Sequence, residues 1–314
     1  MPQAIAHRGY KAVHPENTMG AFQGAVETGA HAIETDLHIS KDGVVVLSHD
    51  DTLKRCFGKD EKVIDCDWSY LKTLKTLKQP SESMPRFLDL LEYLTTPGLE
   101  DIWLLLDIKL DNDPDHIMQL IASTLAEVTP SKPWKERIVL GCWASKYIPL
   151  CDQYLPGYQI AYIGWSIPYA RNLLKVPGVC FNMMQQVLVG PNGKKFLQEV
   201  KDENRPIFVW TVNEPVWMKW SIKHEVDGVI TDDPKKYLEV CDEYNGGKLN
   251  IPFRLCWMAF WINVLAAIGT VLAKGKLGTK VDVEMVKKRL QIISSEESGI
   301  EGDIVDEACE GGLK

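Results

Sequence analysis

The sequence lacks the marks of a secreted protein and of a nucleic-acid-binding protein. The apolar stretch before Ile5 is too short for a signal peptide, and no Asn-x-Ser/Thr sequon occurs. The eight cysteines show no CxxC spacing and are too sparse for a disulfide scaffold, which indicates reduced thiols. A formal net charge of −8 argues against nucleic acid as a partner, because proteins that bind it carry a basic field. We therefore expect an intracellular protein that faces the cytosol.

What the sequence does contain is a regular alternation of short β-type runs with helical stretches. The uninterrupted apolar run 103–106 is typical of a parallel strand buried on both faces. The pattern predicts an α/β fold, a (β/α)₈ TIM barrel, with a short insertion between residues 49 and 85 that covers one end. The eight predicted strands are 3–7, 31–36, 102–108, 137–142, 158–164, 178–182, 206–211 and 227–231.

Acidic, basic and amide side chains follow several of these runs. Asp36, Asp107, Lys109 and Asn213 fall at predicted carboxyl ends, and Glu34 lies two residues inside its strand. Barrel enzymes build their sites at that end, so these side chains should meet at one mouth. The three carboxylates would form a hard oxygen site for one divalent cation, Mg²⁺ or Ca²⁺, unlike the Cys and His set that zinc prefers.

The first fifty residues add two histidines and a guanidinium. His7 and His49 can divide base and acid roles near neutral pH if one is neutral and the other protonated. Arg8 and Lys109 can hold phosphate oxygens. A phosphodiester resists hydrolysis because its anionic oxygens repel nucleophiles and its alkoxide leaves poorly, so an enzyme must neutralise charge and transfer protons. The combination predicts a metal-dependent phosphodiester site.

The composition changes after residue 243. Residues 244–254 are interpreted as a linker, and residues 255–273 are apolar except for Asn263 and Thr270. As a helix this run would reach about 28 Å, close to the ~30 Å hydrocarbon core of a bilayer. Lysine and arginine flank it on both sides, so its orientation stays open, and a buried packing helix is the alternative.

A basic amphipathic segment over residues 283–293 follows the apolar run. We interpret 255–293 as a membrane-associating unit, either spanning or re-entrant, and 294–314 as an acidic, disordered tail. Within the barrel, two polar residues are interpreted as architectural: Asn17 is expected to cap the first helix, and Asp232 the last helix before Pro234.

Seven motifs in order resemble the glycerophosphodiester phosphodiesterase family over residues 3–242. They are His7-Arg8-Gly9, Pro15-Glu16-Asn17-Thr18, Glu34-x-Asp36, His49-Asp50, Leu106-Asp107-Ile108-Lys109, Trp210-Thr211-Val212-Asn213 and Asp227-Gly228-Val229-Ile230-Thr231-Asp232-x-Pro234. The resemblance implies a barrel domain over residues 1–243 that uses a divalent metal.

That resemblance also implies a role for each candidate site residue. It makes His7 and His49 the exchanging acid and base, and it makes Glu34, Asp36 and Asp107 the metal ligands. The family more commonly has Glu in place of Asp107, so the third ligand is one methylene shorter here. Trp210 takes the place of an aromatic wall beside the glycerol moiety. With it, the residues expected to contact the substrate are Arg8, Lys109 and Asn213.

Within the family, the early start, the Leu106-Asp107-Ile108-Lys109 strand end and the apolar C-terminal segment are most similar to fungal phosphatidylglycerol phospholipase C. That similarity implies hydrolysis of phosphatidylglycerol to diacylglycerol and glycerol 3-phosphate at a membrane of the mitochondrion, endoplasmic reticulum or lipid droplet. One alternative is a soluble-substrate glycerophosphodiester phosphodiesterase that releases glycerol 3-phosphate and an alcohol. Another is a phospholipase D-type activity, since related spider-toxin enzymes share the paired histidines and metal carboxylates. The complete acid, base and metal set argues against a non-enzymatic scaffold.

Overall fold

The centre of the fold is a closed parallel barrel, seen in a computed structural model that describes residues 1–273 and 286–294. Eight strands pair in parallel in the order β1-β2-β4-β5-β6-β7-β8-β9, and β9 returns to β1. The predicted (β/α)₈ barrel is confirmed. The strands are β1 (Gln3–His7), β2 (Ala32–Ile39), β3 (Val45–Leu47), β4 (Trp103–Ile108), β5 (Ile138–Cys142), β6 (Gln159–Gly164), β7 (Val179–Met184), β8 (Ile207–Trp210) and β9 (Gly228–Thr231).

Helices surround the barrel, and proline or a capping side chain marks where several of them begin. In chain order they are α1 (Met19–Glu27), α2 (Lys54–Phe57), α3 (Trp68–Leu71), α4 (Phe87–Leu94), α5 (Pro114–Glu127), α6 (Trp134–Arg137), α7 (Ile148–Tyr154), α8 (Ile167–Leu173), α9 (Gln185–Leu188), α10 (Pro191–Asp202), α11 (Pro215–Lys223), α12 (Pro234–Glu243) and α13 (Phe253–Ala273).

Both capping predictions were wrong by one residue. Thr18, not Asn17, caps α1, because its Oγ1 accepts the N–H of Ala21 at 3.3 Å. Asp233, not Asp232, caps α12 and accepts the N–H of Lys236 at 3.0 Å. The two displaced residues are therefore free to serve the site at the barrel mouth.

The insertion after β2 forms a small layer of its own. β3 runs antiparallel to β2 and was not among the eight predicted strands. α2, α3 and a short 3₁₀ turn (Val63–Asp65) follow it, around a separate apolar cluster that includes Val46, Leu71 and Met84. This layer packs beside β2, so it fixes the loop that carries His49.

The core has two apolar layers that leave the carboxyl ends of the strands to polar residues. One layer fills the barrel and includes Ile5, Leu105 and Phe208. The other lies between barrel and helices and includes Phe22 and Trp220. All eight residues of β2 are buried, so its carboxylates lie in the protein interior and not on a solvent-facing edge.

The helix α13 lies beyond the barrel with much of its apolar surface exposed. By length and composition it could cross a membrane over Phe253–Thr270, which by itself is a weak indication. It is also attached to the barrel, because Leu255 and Ala259 are buried. Its exposed apolar side chains are Phe253, Trp257, Met258, Phe260, Trp261, Leu265, Ile268 and Leu272.

Residues 286–294 are helical and also dock on the barrel. The sequence places Arg289 on a basic amphipathic face, but the residue is only 5% exposed. Its Nη1 lies 2.5 Å from Asp152 Oδ1, and its Nε donates to the Pro177 carbonyl. Leu290 is exposed in its place. The rest of the predicted amphipathic segment up to residue 285, and the predicted acidic tail after residue 294, lie outside the described residues.

Candidate active site

A narrow cavity opens where the barrel strands end. It has a volume of about 100 Å³. Six of the predicted site residues line it: His7, Arg8, Glu34, His49, Asp107 and Trp210. A larger cavity of about 890 Å³ lies at the opposite end, beside the amino ends of the strands, and contains none of the predicted residues. The charged cavity at the carboxyl ends is therefore the candidate active site.

The turn after β1 points backbone groups into this cavity. Arg8 and Gly9 have φ of 57° and 78°. A Cβ at Gly9 would lie 2.6 Å from the carbonyl carbon of Ala21, so only glycine fits there. The turn directs the Arg8 N–H to Glu34 Oε2 at 3.0 Å. The His7-Arg8-Gly9 motif thus combines a side-chain role with a required backbone shape.

The three predicted metal ligands come together. Glu34, Asp36 and Asp107 are 4%, 1% and 6% exposed, and one oxygen from each lies within 4.8 Å of the others. The register explains this, because Asp36 on β2 lies beside Asp107 on β4. Burial, together with the neighbouring Asp36 and Asp107 charges, raises the pKa of Glu34 well above its usual range. Buried carboxylates of this kind need a cation.

Two basic side chains neutralise part of this negative charge. Lys109 Nζ lies 2.6 Å from Asp36 Oδ1 and 2.7 Å from Asp107 Oδ2. Arg8 Nε lies 3.2 Å from Asp36 Oδ2, while its Nη1 donates to Glu16. Burial would raise the pKa of Asp36, but Lys109 and Arg8 outweigh it and hold that pKa below its usual range. Lys109 and Arg8 are shared among these carboxylates, and the hard oxygens of the cluster fit a divalent metal ion.

Each candidate acid–base histidine is oriented by its own carboxylate. His7 Nδ1 lies 2.5 Å from Asp232 Oδ1, and His49 Nδ1 lies 2.7 Å from Asp50 Oδ1. These contacts leave Nε2 of each ring for the cavity that both histidines line. Burial is the main cause that lowers the pKa of His7 and of His49, although the partner carboxylates oppose it.

Several residues that support these groups were not predicted as part of the site. Asn17 Nδ2 donates to Asp36 Oδ2 at 2.8 Å, and its Oδ1 accepts the Thr35 hydroxyl. Asp50 bonds both His49 and Arg55. The one available signal was position, since Asn17 lies in a recognised motif and Asp50 directly follows His49.

Asn213, which was predicted to contact substrate, bonds residues of the neighbouring loop. Its Nδ2 donates to Asp232 Oδ2 at 2.9 Å, and its Oδ1 accepts from the Thr231 hydroxyl and the Asp232 N–H. Asn213 thereby holds the carboxylate that orients His7. Substrate contact by Asn213 stays a prediction.

Two tryptophans, Trp143 and Trp210, line the cavity, and a third, Trp165, packs against Trp143. The Trp143 ring lies 5.9 Å from both Trp165 and Trp210, centroid to centroid. Trp143 Nε1 donates to Asp107 Oδ1 at 2.7 Å, and Trp210 Nε1 donates to the Asn182 carbonyl at 3.0 Å. Only Trp210 was predicted here, because Trp143 and Trp165 lie just beyond strand ends and belong to no recognised motif.

A parallel barrel with two carboxylate-held histidines and a buried acidic cluster at its mouth fits the class of phosphodiesterases. A sequence model of the glycerophosphoryl diester phosphodiesterase family matches residues 7–236. The chain belongs to this family, and it is a hydrolase with glycerophosphodiester phosphodiesterase activity. Members of the family depend on a divalent metal ion, and the structure holds an acidic cluster, Glu34, Asp36 and Asp107, whose oxygens could bind one.

Individual relatives agree with this assignment. A glycerophosphodiester phosphodiesterase from Caldanaerobacter subterraneus is 26% identical over 250 residues, which cover 75% of this chain and 96% of the relative. A human lysophospholipase D is 46% identical over 67 residues, 21% of each chain. The structure of an Oleispira antarctica phosphodiesterase in complex with the product sn-glycerol-3-phosphate matches with a TM-score of 0.65 and 21% identity, over 77% of this chain and 98% of that one.

Proposed function

We propose that the protein is a phospholipase C-type phosphodiesterase that hydrolyses phosphatidylglycerol to diacylglycerol and glycerol 3-phosphate. The observation that carries the proposal is the position of α13. Its Asn263 donates to the Gln186 carbonyl after β7, and its Thr270 bonds Ser166 after β6. Both partners follow carboxyl ends of barrel strands, so the apolar helix is held beside the active-site mouth.

The exposed face of α13 supports a lipid substrate. Trp257 and Trp261 are about half exposed, and tryptophan favours the boundary between lipid and water. Trp165, which packs against the cavity-lining Trp143, lies close to Gly269 of the same helix. A bilayer that contacts this face would lie next to the cavity, so a lipid head group could enter without leaving the membrane. We propose the surface of an intracellular membrane as the partner, with the barrel on its cytosolic side.

The side chains allow a specific sequence of proton transfers. One histidine Nε2 takes the proton of the glycerol 2-hydroxyl, whose oxygen bonds phosphorus as the bond to the diacylglycerol oxygen breaks. The other histidine gives its proton to that departing oxygen. Water then opens the cyclic phosphate with the two roles reversed. Since burial lowers the pKa of both histidines, the anionic diester helps to protonate one of them on binding.

A divalent ion at Glu34, Asp36 and Asp107 would supply positive charge for the phosphate oxygens. The all-oxygen set suits Mg²⁺ or Ca²⁺. Arg8, whose guanidinium already lies beside Asp36, is placed to share in holding the phosphate. Phosphatidylethanol, which lacks the 2-hydroxyl, should be cleaved very poorly, and efficient cleavage would favour direct attack by water.

Two other activities have specific support. The relatives named glycerophosphodiester phosphodiesterase favour a soluble substrate, with α13 only attaching the enzyme to an organelle. The match to a human lysophospholipase D favours release of the head group and retention of the phosphate on the lipid.

One assay separates the three activities. The full-length protein is incubated with phosphatidylglycerol vesicles or with glycerophosphoglycerol, with and without chelator, and the products are identified. We expect metal-dependent diacylglycerol release, and a His7→Ala variant that folds normally should release none. Phosphatidic acid as the product would replace the proposal with a D-type activity, and turnover of glycerophosphoglycerol alone would replace it with the soluble-substrate enzyme.

A further inference from the structure

Asn182 is a buried polar residue in the active-site cavity that the catalytic scheme does not use. It lies on β7 and is 2% exposed. Its Oδ1 has no hydrogen-bond partner among the residues that the structure describes. Burying an amide oxygen without a hydrogen-bond partner lowers the free energy of unfolding by about 1–3 kcal/mol. Such a group calls for an explanation, and a ligand that pairs with it is one.

Asn182 lies across the barrel from the acidic cluster. Three strands separate β7 from β2 in either direction around the barrel, and β2 carries Glu34 and Asp36. Asn182 and Glu34 nevertheless line the same cavity of about 100 Å³. A substrate whose phosphate is held beside the carboxylates must therefore extend toward Asn182.

The surroundings of Asn182 make its amide the main polar contact on that side. Trp210 cannot offer its indole N–H, which already donates to the Asn182 backbone carbonyl at 3.0 Å. Trp143 donates its own N–H to Asp107. The remaining neighbours on the cavity wall are the apolar Ile163 and Ile230, together with Thr211.

We propose that Asn182 is a specificity-determining residue that binds the terminal hydroxyl of the substrate glycerol. The inference rests on the proposed function, whether the substrate is phosphatidylglycerol or a soluble glycerophosphodiester. A carboxamide both accepts and donates a hydrogen bond, as a hydroxyl does, and the adjacent Trp210 ring suits the glycerol carbons. The hydroxyl next to the phosphoester is needed at the histidines, so the terminal hydroxyl is the one left for Asn182.

The test compares two chromogenic diesters with one leaving group. These are the p-nitrophenyl esters of glycerol 3-phosphate and of 1,2-propanediol 1-phosphate, which both keep the hydroxyl beside the phosphoester and differ only at the terminal position. We expect wild-type kcat/KM to favour the glycerol ester by about tenfold, the worth of one hydrogen bond to a buried group. In Asn182→Leu this preference should fall to within about twofold, mainly because kcat/KM for the glycerol ester decreases. An undiminished preference in the variant would overturn the inference.

Two controls separate recognition from a structural role. Thr211→Val removes the other uncharged polar side chain of the cavity and should keep the preference for glycerol. The Tm of Asn182→Leu should not fall, because the buried Asn182 Oδ1 has no hydrogen-bond partner among the described residues. A large fall in Tm together with equal losses on both esters would assign Asn182 to the fold instead.

A binding measurement keeps the inference distinct from the proposed function. Calorimetry of glycerol 3-phosphate and of 1,2-propanediol 1-phosphate requires no turnover. If wild type cleaved neither ester, the proposed function would fail; tighter binding of glycerol 3-phosphate, lost in Asn182→Leu, would still support hydroxyl recognition. Equal binding of the two phosphates by wild type would overturn it.

Discussion

Asp232 and His7 are 225 residues apart in the chain, and their side chains meet at 2.5 Å at the barrel mouth. The closure of the barrel brings them together, because β1 and β9 are neighbouring strands. Lys11, at 3.6 Å, and Asn213 also contact the Asp232 carboxylate. Burial would raise the pKa of Asp232, but His7, Lys11 and Asn213 lower it to about 2. The carboxylate therefore stays ionised and fixes the His7 ring with Nε2 toward the cavity.

Asp232 and the adjacent Asp233 provide a matched pair of variants. In Asp232→Ala we expect kcat/KM to fall at least about tenfold, toward the 10²–10⁴ that acid–base catalysis supplies, because the His7 ring loses its orientation. Asp233→Ala removes the cap of α12, so it should lower the free energy of unfolding by about 1 kcal/mol with little effect on kcat/KM. Steady-state kinetics and denaturant unfolding check both. Similar kinetic losses in the two variants would contradict the assigned roles.

The sequence predicts a site residue when its position follows from the neighbouring residues in the chain. It fails where the position depends on a contact with a residue far away in the sequence. The places of Glu34, Asp36 and Asp107 followed from strand ends in a parallel barrel, which is a local pattern with a fixed geometric result. The roles of Asp232 and Asp233 could not be told apart, since a cap and a distant partner require the same residue type. The face of Arg289 was mispredicted because its partner Asp152 lies 137 residues away.

The tryptophan wall illustrates the same limit. A residue just past a strand end can turn into the mouth or away from it, and neighbouring residues in the sequence do not specify which. The sequence alone therefore does not assign Trp143 to the site, although its indole donates directly to Asp107, the predicted third metal ligand. Asn182 was predicted as part of a strand, but its unpaired oxygen is visible only in the folded protein.

Trp143 should affect metal binding through Asp107. Its indole N–H donates to Asp107 Oδ1 at 2.7 Å. In Trp143→Phe an aromatic ring still packs in the wall, but the hydrogen-bond donor is lost. We expect the dissociation constant for Mg²⁺, measured by calorimetry on the full chain, to rise about tenfold, as for other residues that orient metal ligands. Trp165→Phe is the control, because Trp165 contacts Trp143 but, within the part of the chain that the structure describes, makes no hydrogen bond to a predicted metal ligand. Equal shifts in the two variants would show that Trp143 acts through packing alone.

Glu16 should contribute to acid sensitivity. Burial opposes ionisation of Glu16, but Arg55 and Arg8 outweigh it and lower the pKa to about 2 from a usual 4.5. A lowered pKa in the folded state stabilises the fold above the unfolded-state pKa, and this contribution is lost as the pH falls from 4.5 toward 2. This contribution to the free energy of unfolding is at most about 3 kcal/mol. It is smaller in practice because Arg55 is half exposed and water screens its charge.

Glu16→Gln cannot titrate, so its unfolding free energy should decline less steeply than that of wild type over this pH range. Urea unfolding at several pH values measures the slope. Glu239→Gln, at an exposed position of α12, is the control and should keep the wild-type slope. If Glu16→Gln also followed the wild-type curve, the Arg8 and Arg55 pairing would contribute nothing to stability.

The exposed aromatic residues of α13 should govern association with lipid but not chemistry. Trp257 and Trp261 contact each other on the exposed face, away from the Asn263 and Thr270 bonds that hold the helix to the barrel. Burying one large apolar side chain contributes roughly 1.5–3 kcal/mol, so replacing both with alanine should weaken partition into phosphatidylglycerol vesicles by at least about tenfold. Turnover of the soluble p-nitrophenyl ester should stay unchanged, since neither residue lines the cavity.

Leu77→Ala, which truncates an exposed apolar side chain on the insertion, should leave vesicle binding unaltered. If cosedimentation with vesicles were equally strong in all variants, α13 would not be the lipid-binding surface, and the soluble-substrate activity would become the better description of this enzyme.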